Sequence, residues 1–181
     1  MIDFKSWYNK VDYEFTGSEK EFQIYLYYLL HMPRTDDKKI MVDYLSTVNV
    51  SKHCEISRNE MLSLFNNAYD TYVKDLNLIR VKTLTVLNDF KKLKGELKSC
   101  DDNRDREIRH WLTALGSALK TLNTEQQEII SYRYFEKMKG IDIAPLIGRT
   151  STSSVYMKCE YAIETLEEIL FDVYDIHKWN I

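Results

Sequence analysis

The chain has 181 residues, 44% of them hydrophobic and 29% charged, a balance that excludes a disordered or fibrous protein and allows a buried core. Five glycines and two prolines leave little punctuation for a many-stranded sheet, and a net charge of −3 excludes a uniformly basic nucleic-acid binder. Three scattered cysteines, Cys54, Cys100 and Cys159, fit neither a disulfide framework nor a paired zinc spacing, so reduced thiols in a cytoplasmic compartment are expected.

The opening MIDFKSWYNK has no apolar signal region, and the most apolar run, residues 22–32, is too short and too rich in tyrosine to span a bilayer. No membrane partner is expected. Ser18 followed by Glu21 has the capping-box spacing, and Phe22, Tyr25, Leu26, Leu29 and Leu30 recur at helical intervals, which predicts a first helix over residues 19–32. Pro33 ends it. Asp36 or Asp37 then caps a second helix, with Ile40, Met41, Tyr44, Leu45 and Val48 on one face.

Ser57 and Glu60 repeat the capping box. From Arg58 to Lys98 no proline intervenes, and Met61, Leu64, Phe65, Ala68, Tyr72, Leu76, Ile79, Leu84, Leu87 and Leu93 fit one long helix, or two stacked ones with a bend near Asn77 or Gly95. Between Lys74 and Lys98 seven basic residues face three acidic ones, a composition that suits a solvated helix face or a surface near phosphates.

The run Ser99-Cys-Asp-Asp-Asn103 gathers turn and cap formers between two periodic segments and is the expected linker. Beyond it, Ile108, Trp111, Leu112, Leu115, Leu119 and Leu122 mark a helix over residues 104–122, and Asn123 with Gln126 caps the next. The expected fold is all-α: a helical N-terminal domain, residues 1–98, followed by a C-terminal domain, residues 103–181.

A helix-turn-helix is written into the C-terminal part. Its first helix is expected over residues 142–147, Gly148 supplies the permissive backbone of the turn, and Ser151 caps a second helix from Thr152. Val155, Cys159, Ala162, Ile163 and Leu166 form the buried stripe of that helix, which leaves its other face for DNA. The residues expected to face DNA are Arg149, Ser151, Thr152, Ser153, Tyr156, Met157 and Lys158. Hydroxyls can bond to phosphates or base edges, the threonine methyl can meet a thymine methyl, and the two cations can reach guanine or the backbone. Tyr156 suits equally a partly buried bridge between two helices, Met157 suits packing, and Arg133 suits an ion pair with Glu128 or Glu136.

The segment from Leu122 to Tyr134, with Ala144, Gly148, Ser151, Val155, Ala162 and Leu166, resembles region 4 of bacterial sigma factors. The closer resemblance is to the small phage late-gene regulators of the ArpU and RinA type, which share this motif and lack the rest of a sigma factor. It covers roughly residues 108–172. The resemblance implies a phage- or prophage-encoded, DNA-binding transcription regulator that acts on double-stranded DNA at a promoter with host RNA polymerase, in the cytoplasm of a bacterium or an infected cell. This chain departs from the pattern in one extra residue between Ala144 and Ser151 and in Pro145, which a helix starting at Asp142 would hold in its first turn. With Lys158 and Arg149 as the nearby cations, phosphate contacts are few, which fits binding as an oligomer or together with the polymerase.

Enzyme readings find no support: there is no glycine-rich phosphate loop, nucleophile elbow or His-Glu-x-x-His pair, and His31, His53, His110 and His177 are scattered. No catalytic, metal or cofactor site is expected. The N-terminal aromatics Trp7, Tyr8, Phe22, Tyr25, Tyr27 and Tyr28 exceed one amphipathic face, which suits either the domain core or a surface for self-association. The alternative function is a protein-binding module that docks a sigma-like fold on RNA polymerase or a host factor without reading DNA.

Overall fold

The computed structural model describes residues 2–11, 19–33, 35, 37–47, 56–97 and 102–181, without the side chains of residues 21, 22 and 25. The fold is all-α, with no strand among the described residues. Its helices are α1 (Phe4–Lys10), α2 (Glu19–His31), α3 (Lys38–Thr47), α4 (Arg58–Asn88), α5 (Phe90–Glu96), α6 (Asp102–Thr121), α7 (Thr124–Ile130), α8 (Gly140–Leu146) and α9 (Thr152–Tyr174). No described helix is long and apolar enough to cross a membrane.

The chain divides into two compact units, Ile2–Asn77 and Leu78–Ile181. The division falls within α4, which contributes residues 58–77 to the first unit and 78–88 to the second. The helices on either side of the expected linker at residues 99–103, α5 and α6, both belong to the second unit and pack on each other. Residues 99–101 of that linker lie outside the described residues.

The first unit is organised by aromatic rings. Asp3 caps α1 by accepting from Ser6 N at 2.8 Å, a short helix that hydrophobic periodicity did not predict. Phe4 and Trp7 are fully buried, and Phe4 meets Tyr72 of α4 edge-on with ring centroids 5.3 Å apart. The polar handles of these rings find partners: Trp7 Nε1 donates to Asp75 at 2.9 Å and Tyr72 OH to the Ile2 carbonyl at 2.7 Å. Trp7, Tyr8 and Tyr28 are therefore core. Phe22 and Tyr25, and the Ser18 cap, lie outside what is described. Asp37 caps α3, accepting from Lys39 N at 2.8 Å, and Met41 and Leu45 form its buried stripe while Ile40 is exposed. Ser57 and Glu60 close their capping box in both directions at the start of α4.

In the second unit α6, α7 and α8 all pack on α9. The stretch from Arg58, expected as one long helix or two stacked ones with a bend near Asn77 or Gly95, forms two helices that break at Asp89, after which α5 restarts. Ile108, Trp111, Ala114, Leu115 and Ala118 form the buried stripe of α6, and Ile129 and Ile130 that of α7. Asn123 caps α7 through the full capping box, accepting from Gln126 N at 2.9 Å while Asn123 N donates to Gln126 Oε1 at 3.1 Å. Gln126 is buried and bonds to Thr165 of α9 at 3.2 Å, which ties the two helices. A π-helical turn, Ser131–Phe135, follows α7. After α9 the chain turns at Asp175, in the left-handed region at φ 51°, and tucks Ile176 and Trp179 into the core.

Candidate nucleic-acid interface

The helix-turn-helix is built from α8, the turn after it and α9. Ile143, Ala144 and Val155 form its buried centre, with Tyr132, Met138 and Ile147 packed around them. Gly148 holds φ 65°, a conformation that would strain any residue with a β-carbon, and Arg149 N closes the end of α8 on the Ala144 carbonyl at 2.7 Å. Ser151 then caps α9, accepting from Ser154 N at 3.3 Å. α9 starts at Thr152, and Val155, Cys159, Ala162, Ile163 and Leu166 are its buried stripe, as the apolar spacing predicts. Burial raises the thiol of Cys159, whose side chain packs on the inner face of α9.

α8 begins at Gly140, two residues before the expected start, because the Lys139 carbonyl already accepts from Asp142 N and Ile143 N. Pro145 consequently lies beyond the first turn. It ends the helix within two residues, which limits the loss to one backbone bond.

Ser151, Thr152, Ser153, Tyr156 and Met157 are exposed, Met157 by 71%. Thr152, Ser153, Tyr156 and Met157 line a shallow depression that continues along α9 to Glu160, Tyr161 and Glu164. Tyr156 is half bridge and half surface. Its ring lies against Gly140 at the start of α8, and the Arg133 guanidinium stands 5.6 Å from the ring centroid. Arg133 also donates to the Met138 carbonyl at 3.3 Å, and pairs with neither Glu128 nor Glu136.

The two expected phosphate contacts share one carboxylate. Arg149 donates to Glu125 at 2.8 Å and Lys158 donates to the other oxygen of Glu125 at 2.9 Å. Hydrogen bonds from Arg149 first, and from Lys158 next, hold the Glu125 carboxyl below the usual carboxylate range. Glu125 was not among the residues singled out from the sequence; in the first turn of α7 it reads as an ordinary helix-dipole partner. Gly140, the seat of Tyr156, was missed as well, since nothing local marks it.

Farther along α9 the surface turns acidic. Arg80 of α4 pairs there with Glu160 and, at 3.0 Å, with Glu167. Burial pushes the Glu167 carboxyl up against the pull of Arg80. The described residues hold no group of three His, Cys, Asp or Glu side chains that could take a metal ion. His53 and Cys54 lie outside the described residues. Comparison with protein-family models, curated proteins and solved structures returned no match.

Proposed function

We propose that this chain is a DNA-binding transcription regulator of the phage late-gene type, whose second unit reads double-stranded DNA through the first turns of α9. The observation that carries the reading is the α8–turn–α9 arrangement: a left-handed Gly148 and a capped α9 leave Thr152, Ser153, Tyr156 and Met157 in solvent above a buried Ile143, Ala144 and Val155. A helix held in this way presents its N-terminal residues to a major groove, where hydroxyl and aromatic side chains meet base edges and thymine methyls. Only the first two turns fit a groove, since Glu160 and Glu164 farther along would face phosphates with like charge. With so few cations, the protein acts at its promoter together with RNA polymerase, in the cytoplasm of its host cell. Selection of duplexes from a random pool, with and without the polymerase, tests this: an enriched motif that is lost in a Ser153→Ala, Tyr156→Ala variant is expected, and a pool that stays random in both arms would falsify it.

A second reading is favoured by the exposed Met157 and Tyr161 beside Glu160 and Glu164, an apolar and acidic surface suited to a protein. Under it α9 docks on the polymerase or a host factor and reads no DNA. Retention of the polymerase by the chain, with no duplex bound by either, is the outcome that selects it.

A further inference from the structure

The cations that flank the reading surface are not waiting for phosphate. Arg149 lies in the turn before α9 and Lys158 in its second turn, and a single residue of α7, Glu125, takes a hydrogen bond from each, at 2.8 and 2.9 Å on its two oxygens. Those are the lengths at which guanidinium and ammonium groups meet phosphate oxygens. The three side chains are 39%, 42% and 35% exposed, so an arriving backbone can reach the cluster. The cluster as a whole carries one net positive charge in place of two.

We infer that Glu125 is an internal stand-in for a DNA phosphate, which occupies Arg149 and Lys158 in the free protein and competes with the backbone for them. This inference rests on the reading of α9 as a DNA-binding helix. A cation already paired with a carboxylate releases fewer of the counterions condensed on DNA when it binds, so it contributes less sequence-independent affinity and less salt dependence. The negative charge of Glu125 also stands within a Debye length of any phosphate those cations touch, and repels it. The same pairing ties Arg149, in the turn before α9, and Lys158, in its second turn, to α7. Non-specific binding is thereby kept low while base contacts, which do not depend on Glu125, are left intact. The ratio between sites is then set by the base contacts, while affinity for every duplex, random ones included, is lower by the common phosphate term.

The test is a titration of the full chain against a random-sequence 30-base-pair duplex, by fluorescence anisotropy, over a series of salt concentrations. Glu125→Gln keeps the size and removes the charge. It is expected to tighten binding roughly five- to tenfold at low salt and to steepen the slope of log K against log salt by about one unit, the equivalent of one freed phosphate contact. The gain should shrink as salt rises. Glu125→Asp keeps the charge and should stay near the parent, and circular dichroism of each variant verifies that it is folded; were Glu125→Gln to unfold, Glu125→Ala takes its place. A loss of affinity is what a purely structural role of Glu125 produces, and it overturns the inference. So does an unchanged slope, and in both cases parent binding shows that α9 still engages DNA. A silent parent with a binding Glu125→Gln variant supports the inference in its strongest form. Silence of parent and variants alike at the lowest salt removes this inference and the DNA reading together.

Discussion

The ring of Tyr156 rests on Gly140: a β-carbon on that glycine would stand 3.3 Å from the ring's Cζ and 3.4 Å from its hydroxyl oxygen. The first residue of α8 is thus the seat of an aromatic side chain projecting from the next helix. Gly140→Ala would push the ring aside by a few tenths of an ångström, since the far end of a tyrosine can give. Alanine also favours a helix over glycine by up to about 1 kcal/mol, so thermal melting should change little or rise. Duplex discrimination should fall, and the ring resonances of Tyr156 should shift. Unaltered discrimination with a shifted ring would remove Tyr156 from base reading.

Ala162 is fully buried on the inner face of α9. Ala162→Asp places a carboxylate there without a partner, at a cost of several kcal/mol. The helical signal of the second unit should collapse at temperatures where the parent is folded. A melting curve that overlays the parent would mean that α9 is turned the other way.

The N-caps of α7 and α9 differ in bond length, and this sets an order of stability. Asn123 closes both arms of its capping box at 2.9 and 3.1 Å, whereas the single Ser151 bond is 3.3 Å long. Asn123→Ala should cost about 1–2 kcal/mol and Ser151→Ala about 0.5 kcal/mol. Urea unfolding of the two variants checks the order; equal losses would contradict it.

Phosphate and base contacts separate by their salt response. Arg149→Ala and Lys158→Ala should each weaken binding to every duplex and lower the salt slope by about one unit or less, because Glu125 already shares their charge. Ser153→Ala and Tyr156→Ala should leave that slope in place and reduce the preference for the selected motif by roughly 1–3 kcal/mol per lost base contact. Titration of specific and random duplexes at several salt concentrations distinguishes the two patterns. A slope change on Ser153→Ala would move that residue from base to backbone.

Much of this architecture is local, and local physics is legible in a sequence. The capping boxes at Ser57 with Glu60 and at Asn123 with Gln126 involve residues three apart, and both form as their spacing predicts. The stripe of Val155, Cys159, Ala162, Ile163 and Leu166 follows from helical periodicity, and Gly148 from the backbone a turn demands. The start of α8 was displaced by two residues because the Lys139 carbonyl, a backbone group without a sequence signature, opens it.

What the tertiary structure alone decided are the pairings across sequence distance. α1 carries too few residues for periodicity to register; it is anchored by Trp7 to Asp75, 68 positions away, and by Phe4 among the rings of α4. The fate of Tyr156 depended on which residue of α8 lay beneath it. Glu125 stands 24 positions from Arg149 and 33 from Lys158, and only the packing of α7 on α9 brings its carboxylate to both. Composition and periodicity report which side of a helix is buried, because burial depends on the average character of a face. They carry no record of which charge meets which, since an ion pair is a relation between two particular atoms whose distance is set by every helix packed between them.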